Sequence, residues 1–145
     1  MSKEIARAIH AALSASVSVQ DSVGQPARLY DALPEDPLFP YLTYGALRTE
    51  DLGADGVNLM SHQMTLHIWS RYAGRAETLH ILDVIKSVIE DKEVLSSHMV
   101  ETSLMSATTL YADVLRAPDG RTHHGLLRLS LLTETFQDLS LGDAA

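Results

Sequence analysis

From Lys3 to about Ser16 the apolar residues Ile5, Ile9, Ala12 and Leu13 recur three and four apart, with Ser2 placed to cap the first turn. This spacing predicts an amphipathic helix. A polar stretch with Asp21, Gly24 and Pro26 ends it, and Arg28 to Ala32 gives a short strand before the turn Leu33-Pro-Glu-Asp-Pro-Leu-Phe-Pro40. Tyr41 to Arg48 and Met60 to Ser70 are rich in aromatic and β-prone residues and flank Glu50-Asp-Leu-Gly-Ala-Asp-Gly56, predicting a hairpin with a long acidic tip. From Gly74 to about Asp91 the period becomes helical, with Ala76, Leu79, Leu82, Ile85, Val88 and Ile89 as its stripe. His98 to Leu115 and His123 to Thr135 flank Pro118-Asp-Gly120, a type I turn signal with Gly in the left-handed position, and predict a second hairpin.

Helix, short strand, hairpin, helix, hairpin is an α+β order: a mainly antiparallel sheet of two long hairpins plus a short strand, with two helices on one face. Strand lengths add a constraint. A strand over His98 to Leu115 would span roughly 60 Å, whereas a domain of this size has a radius of gyration near ~15 Å. Some strand must therefore bend or overhang, and overhanging hairpins leave backbone groups for a neighbouring subunit to pair. In the last strand Leu127, Leu129 and Leu131 share one side, while the other still carries Leu126 and Leu132 beside Arg128, Ser130 and Glu134. That second face is either the meeting place for another chain or the far side of a fully buried central strand.

At 145 residues and 46% hydrophobic, the chain is expected to form one domain over residues 1–135, with 136–145 as a flexible C-terminal tail. Neither end reads as a targeting segment, and no stretch reaches the apolar length of a membrane span. There are no cysteines, which removes disulfide frameworks, thiol catalysis and the usual structural zinc sites. The net charge of −8 excludes gripping nucleic acid by bulk phosphate neutralisation.

Candidate chemistry is sparse. His62 and His67 lie five apart and His123 and His124 one apart, so within a strand each pair points to opposite faces and cannot chelate a metal. A cross-strand site such as His67 with His123 stays open. The acidic pairs Glu35-Asp36 and Glu50-Asp51 lie in loop-like sequence without a companion nucleophile or base. There is no phosphate-binding glycine loop, nucleophile elbow or H-E-x-x-H. No catalytic, cofactor-binding or metal-binding residues are expected, and the protein reads as a non-enzyme.

The basic residues suggest more. Eight of the eleven are Arg, a residue enriched at interfaces: Arg71 and Arg75 bracket the start of the second helix, and Arg116 and Arg121 bracket the second hairpin's tip. With Tyr72 these are the candidates for a contact between subunits. Between Arg28 and Asp55 six carboxylates, including Glu50, Asp51 and Asp55, stand against two arginines and supply −4 of the charge. Such a face serves solubility or repels a passing polyanion.

Three stretches carry a resemblance: Phe39-Pro-Tyr-Leu-Thr-Tyr-Gly45, Leu66-His-Ile-Trp-Ser-Arg-Tyr-Ala-Gly-Arg-Ala-Glu77 and Pro118-Asp-Gly-Arg-Thr-His-His-Gly125. In this order the chain resembles the tail terminator or tail-completion proteins of long-tailed phages and gene transfer agents, from about Ala6 to Glu134. The middle stretch is the most specific. The resemblance implies a structural virion protein that forms a hexameric ring at the head-proximal end of the tail tube. Such a ring stops tube polymerisation and joins tail to head, and DNA passes through its centre without specific binding. The implied partners are copies of itself, the tail tube protein and the head connector or stopper, with no cofactor and no membrane. Glu50, Asp51 and Asp55 would then face the lumen or the tube. The tip Leu52 to Leu59 and the tail Phe136 to Ala145 depart from the family pattern. Two rivals remain: a head-side stopper or adaptor ring, and a small-ligand-binding α+β domain using His62, His67, His123 or Asp113.

Overall fold

A computed structural model describes residues 2–53 and 56–135. The N-terminal periodicity forms helix α1 (Ser2–Ala15), which buries Ile5, Ile9, Ala12 and Leu13 as its spacing requires. Ser2 lies within the helix, and its hydroxyl is shared with Thr49 at 2.9 Å instead of capping. A second short helix, α2 (Val17–Val23), follows where the sequence reads as polar linker. The Ser16 hydroxyl accepts from the Val19 amide at 3.3 Å to start it, and Val19 and Val23, one turn apart, reach the core.

The sheet is built from β1 (Leu29–Tyr30), β2 (Tyr41–Asp51), β3 (Leu59–Ser70), β4 (Thr102–Arg116) and β5 (His123–Thr135). Its spatial order is β1-β2-β3-β5-β4. Each hairpin pairs internally, the two join through β3 and β5, and only β1 runs parallel to its neighbour. The turn between β4 and β5 has Gly120 at φ +73°, as Pro-Asp-Gly predicts. The length problem is met by bulges: β4 slips register at Met105 and at Leu110, and β2 slips between Tyr44 and Leu47. The β2 slip passes through Gly45, where a Cβ would meet the His67 ring at 2.6 Å and the Thr65 carbonyl at 2.9 Å.

Helix α3 (Ala76–Ile89) packs across β3, β5 and β4, and α4 (Lys92–Ser96) packs on β4. The stripe of α3 is rotated from the expected one: Thr78, Ile81, Leu82, Ile85 and Ile89 are buried, while Leu79 is exposed. Helix α4, with the Asp91 carboxylate accepting from the Val94 amide, occupies the stretch between the expected second helix and second hairpin, and the strand that follows begins at Thr102 instead of His98. The core lies between these helices and one sheet face, centred on Leu42, Leu66, Ile68, Leu127 and Leu129. Glu4 ties α1 to the start of β4, accepting from the Val100 and Glu101 amides and the Thr102 hydroxyl. Burial works to raise its pKa, but these hydrogen bonds outweigh it and hold the carboxyl below the usual range.

Candidate assembly surfaces

The predicted residues fall at the two ends of the sheet. Antiparallel register sets Ser70 beside His123 and His123 beside Arg116 at one end, and Met60 beside Asp51 and Thr133 at the other. These ends are separated by most of β3, roughly 35 Å at a strand's rise per residue. Arg71, Tyr72, Arg75, Arg116 and Arg121 gather at the first end, whereas Glu50 and Asp51 sit at the second. Asp55 and the segment 136–145 lie outside the described residues.

At the arginine end Arg71 differs from its companions. Its guanidinium stacks over Phe39 at 4.2 Å, Nε donates to the Thr122 hydroxyl at 3.3 Å, and a terminal nitrogen lies 4.0 Å from Asp119. It thus braces the proline-rich loop and the end of β3 against the β4–β5 turn. Asp119 is the centre of that turn. It accepts from the Thr122 amide, the Thr122 hydroxyl and the Arg121 amide, and these bonds push its pKa down to about 2, with Arg71 adding a smaller effect. Tyr72, Arg75, Arg116 and Arg121 are exposed, and their side chains make no ion pair among the described residues.

At the acidic end Glu50 is paired with Arg48, both exposed, and the Asp51 carboxylate accepts from the Gly53 amide at 2.8 Å. Local charge there is partly balanced by Arg48, so Asp51 is the freer carboxylate of the two.

Between the ends, the sheet face away from the helices carries a feature that the spacing within each strand does not show. Trp69 stacks on His124 with ring centroids 3.9 Å apart and planes 9° from parallel. His67 Nδ1 and His124 Nε2 share a hydrogen bond of 2.8 Å, and the Trp69 indole donates to Thr43. Arg128 donates to Thr65 and Gln63 across the same face. Burial lowers the pKa of both His67 and His124, and His67 adds to the effect on His124. The cross-strand partner of His67 is therefore His124 and not His123. His123 points to the helix-covered face, where it is 7% exposed. Alternation within β5 already separates the two histidines, but only the β3–β5 register brings Trp69 opposite His124.

The residues of the ligand-binding rival are dispersed. His62 is buried on the covered face between the hydroxyls of Thr49 and Thr133, each 3.0 Å away, and burial lowers its pKa. His123 lies eight positions along the sheet from it, while His67 and Asp113 share the opposite face. A cleft of about 310 Å³ does open between α1 and the sheet, lined by Ala6, Arg7, His10, Asp31, Tyr44 and Met64, with His10 Nδ1 hydrogen-bonded to the Tyr44 hydroxyl at 2.8 Å. Burial, with the Asp31 charge, pushes the Tyr44 phenol well above its ordinary value. It is a hydrogen-bonding group there and not an anion. Among the described residues no three His, Asp or Glu side chains converge to hold a metal ion, and no helix is long and apolar enough to cross a membrane.

Among the described residues the sheet thus keeps one face free of helices and has no strand beyond β4. The family model described as tail completion protein gp17 matches residues 7–134, and the chain belongs to that family of structural tail proteins, components of the virion tail. No curated protein matches. Among solved structures, a chain from "Virion of native gene transfer agent (GTA) particle" is similar in fold, with a TM-score of 0.75 at 19% identity over 88% of this chain and 92% of that one.

Proposed function

We propose that the chain, as a tail completion protein, is the terminator of its tail: six copies close into a ring on the head-proximal end of the tube. The ring stops further tube polymerisation and joins the tail to the head connector, and DNA passes through it. The unit that assembles is residues 1–135, in a phage or a gene transfer agent, and the likeness to a chain of a gene transfer agent virion supports the particle setting. The observation that carries the reading is family membership over nearly the whole chain, joined to a sheet in which, among the described residues, no strand lies beyond β4 and no helix packs on the second face.

A closed ring needs head-to-tail contacts between unlike surfaces, and the sheet has unlike ends. Tyr72, Arg75, Arg116 and Arg121 are assigned to the contact between neighbours, with Arg71 holding the loops that present them. Glu50, Asp51 and Asp55 are assigned to the lumen or the tube side, where carboxylates keep DNA sliding because no phosphate contact releases counterions. A head-side stopper or adaptor ring is the second reading, since both partners meet at this joint. Cross-linking separates the two: a terminator links to the tube protein, a stopper to the portal-side ring.

Native mass spectrometry and electron micrographs of the full chain with tail tubes test the proposal. Six-membered rings that cap tubes are expected. A chain that stays monomeric and caps no tube at any concentration overturns it. Changing Arg75 and Arg121 together to Glu is expected to weaken rings while leaving Tm unchanged, whereas Arg71→Glu is expected to lower Tm as well.

A further inference from the structure

Beside the arginine end, a cleft of about 410 Å³ is lined by Gly74, Arg75, Val114, Leu115, Arg116 and His123. Its chemistry is that of an anion receptor, by three separate observations. The first is the helix it abuts. Arg75 is the N-cap of the fourteen-residue α3 and makes no side-chain capping bond, so the amides at the start of the helix have no acceptor from the cap position. The second is the pair of exposed guanidinium groups, Arg75 and Arg116, which come from different elements and have no ion-pair partner among the described residues. The third is His123. It is 7% exposed, lines the cleft, and its Nδ1 is buried with no hydrogen-bond partner among the described residues. A buried ring nitrogen left unpaired is costly, and a ligand that supplies its partner recovers that cost.

We infer that this cleft is a binding site for the carboxylate of an acidic segment in a partner protein. Two arginine forks suit a carboxylate held by paired N–H donors. The walls argue for a side chain over a bare ion, because Val114 offers apolar surface that the methylenes of a Glu would cover and a free anion would not. A nucleic-acid backbone fits less well. It brings a run of phosphates, whereas the cleft offers cations for one group. The cleft lies among the residues assigned above to the contact between neighbours, so placing its partner there rests on that reading, while the titration below reads the cleft itself whether or not the chain closes into a ring.

The test is an NMR titration of the isotope-labelled full chain with sodium acetate, with a short Glu-rich peptide and with a short DNA duplex. Acetate is expected to shift the amides of Arg75 to Thr78 and the His123 ring nitrogens. The peptide is expected to move the same signals at tenfold or more lower concentration. Both effects are expected to weaken at least tenfold in a chain carrying Arg75→Ala and Arg116→Ala, whose undisturbed spectrum elsewhere shows that it is folded. Shifts scattered over the surface, or unchanged in the double variant, overturn the site. A duplex that moves these signals at lower concentration than the peptide overturns the assignment to a protein carboxylate.

Discussion

The two faces of the sheet are made from alternate residues of the same strands, and they solve different problems. On the helix side Leu127, Leu129 and Leu131 are at most 1% exposed and the contacts are apolar. On the other side His124, Leu126, Arg128, Ser130 and Leu132 are only half-buried, and neighbouring strands are linked by Arg128 to Thr65 and Gln63 and by the Trp69–His124–His67 stack. The first face is finished by the chain's own helices. The second is polar enough to stand in water and flat enough to receive another surface.

The sharpest way to break this comparison is to truncate leucines on each side of one strand. Leu129→Ala is expected to cost about 2–5 kcal/mol of unfolding free energy, the usual range for a core leucine, while Leu132→Ala three positions on should cost under ~1 kcal/mol. Denaturant titration followed by circular dichroism measures both, and equal losses would show that the second face is as closed as the first. Next comes Gly45→Val, which drives a side chain into the His67 ring and the Thr65 carbonyl. We expect a loss of about 1–3 kcal/mol, and a changed His67–His124 signal in the NMR spectrum locates the damage on the open face. Glu4→Gln removes a charged acceptor of three hydrogen bonds at the foot of the covered face. A loss of about 1–3 kcal/mol is expected by the same denaturant titration. Because the folded pKa of Glu4 lies below its unfolded value, its contribution is complete above pH 4.5 and disappears as the pH falls through the folded value.

The smallest effect concerns the histidines. Burial sets the folded pKa values of His62, His67 and His124 below the ordinary 6.5, so on acidification the unfolded chain takes up protons before the folded chain does. Their stabilising contribution is complete above pH 6.5 and declines as the pH drops toward the folded values. Calorimetry is expected to show Tm falling by a few degrees between pH 7.5 and 5.5, and a flatter profile in a chain with His67→Gln and His124→Gln. A profile unchanged by the double variant would assign the effect to His62 on the covered face.

Much of this was legible in the sequence where information is local. The alternation through Leu127, Leu129 and Leu131 and the Pro118-Asp-Gly120 turn locate the second hairpin correctly, and the α+β order follows from period changes alone. Helices α2 and α4 were missed because seven and five residues are too short to display an apolar period; their signals are single capping residues, Ser16 and Asp91. The face of α3 was misjudged because Thr78, a polar residue, packs inward against Gly125 while Leu79 faces solvent. The arginine and acidic groups were named from composition, but their separation to opposite ends depends on register between strands distant in sequence. The same holds for the stack of Trp69 on His124, since no spacing along either strand encodes which residue lies across from which.

The outer strand β4 carries a further consequence for how copies of the chain meet one another. Its ladder is interrupted at Met105 and Leu110, leaving in-register runs of three, four and six residues: Thr102–Leu104, Ser106–Thr109 and Tyr111–Arg116. A straight strand from a stray polypeptide falls out of step at each interruption, so it cannot zip along the whole border. Only a visitor shaped with matching kinks finds every rung, and copies of the chain are thereby kept from stacking into fibres along this border.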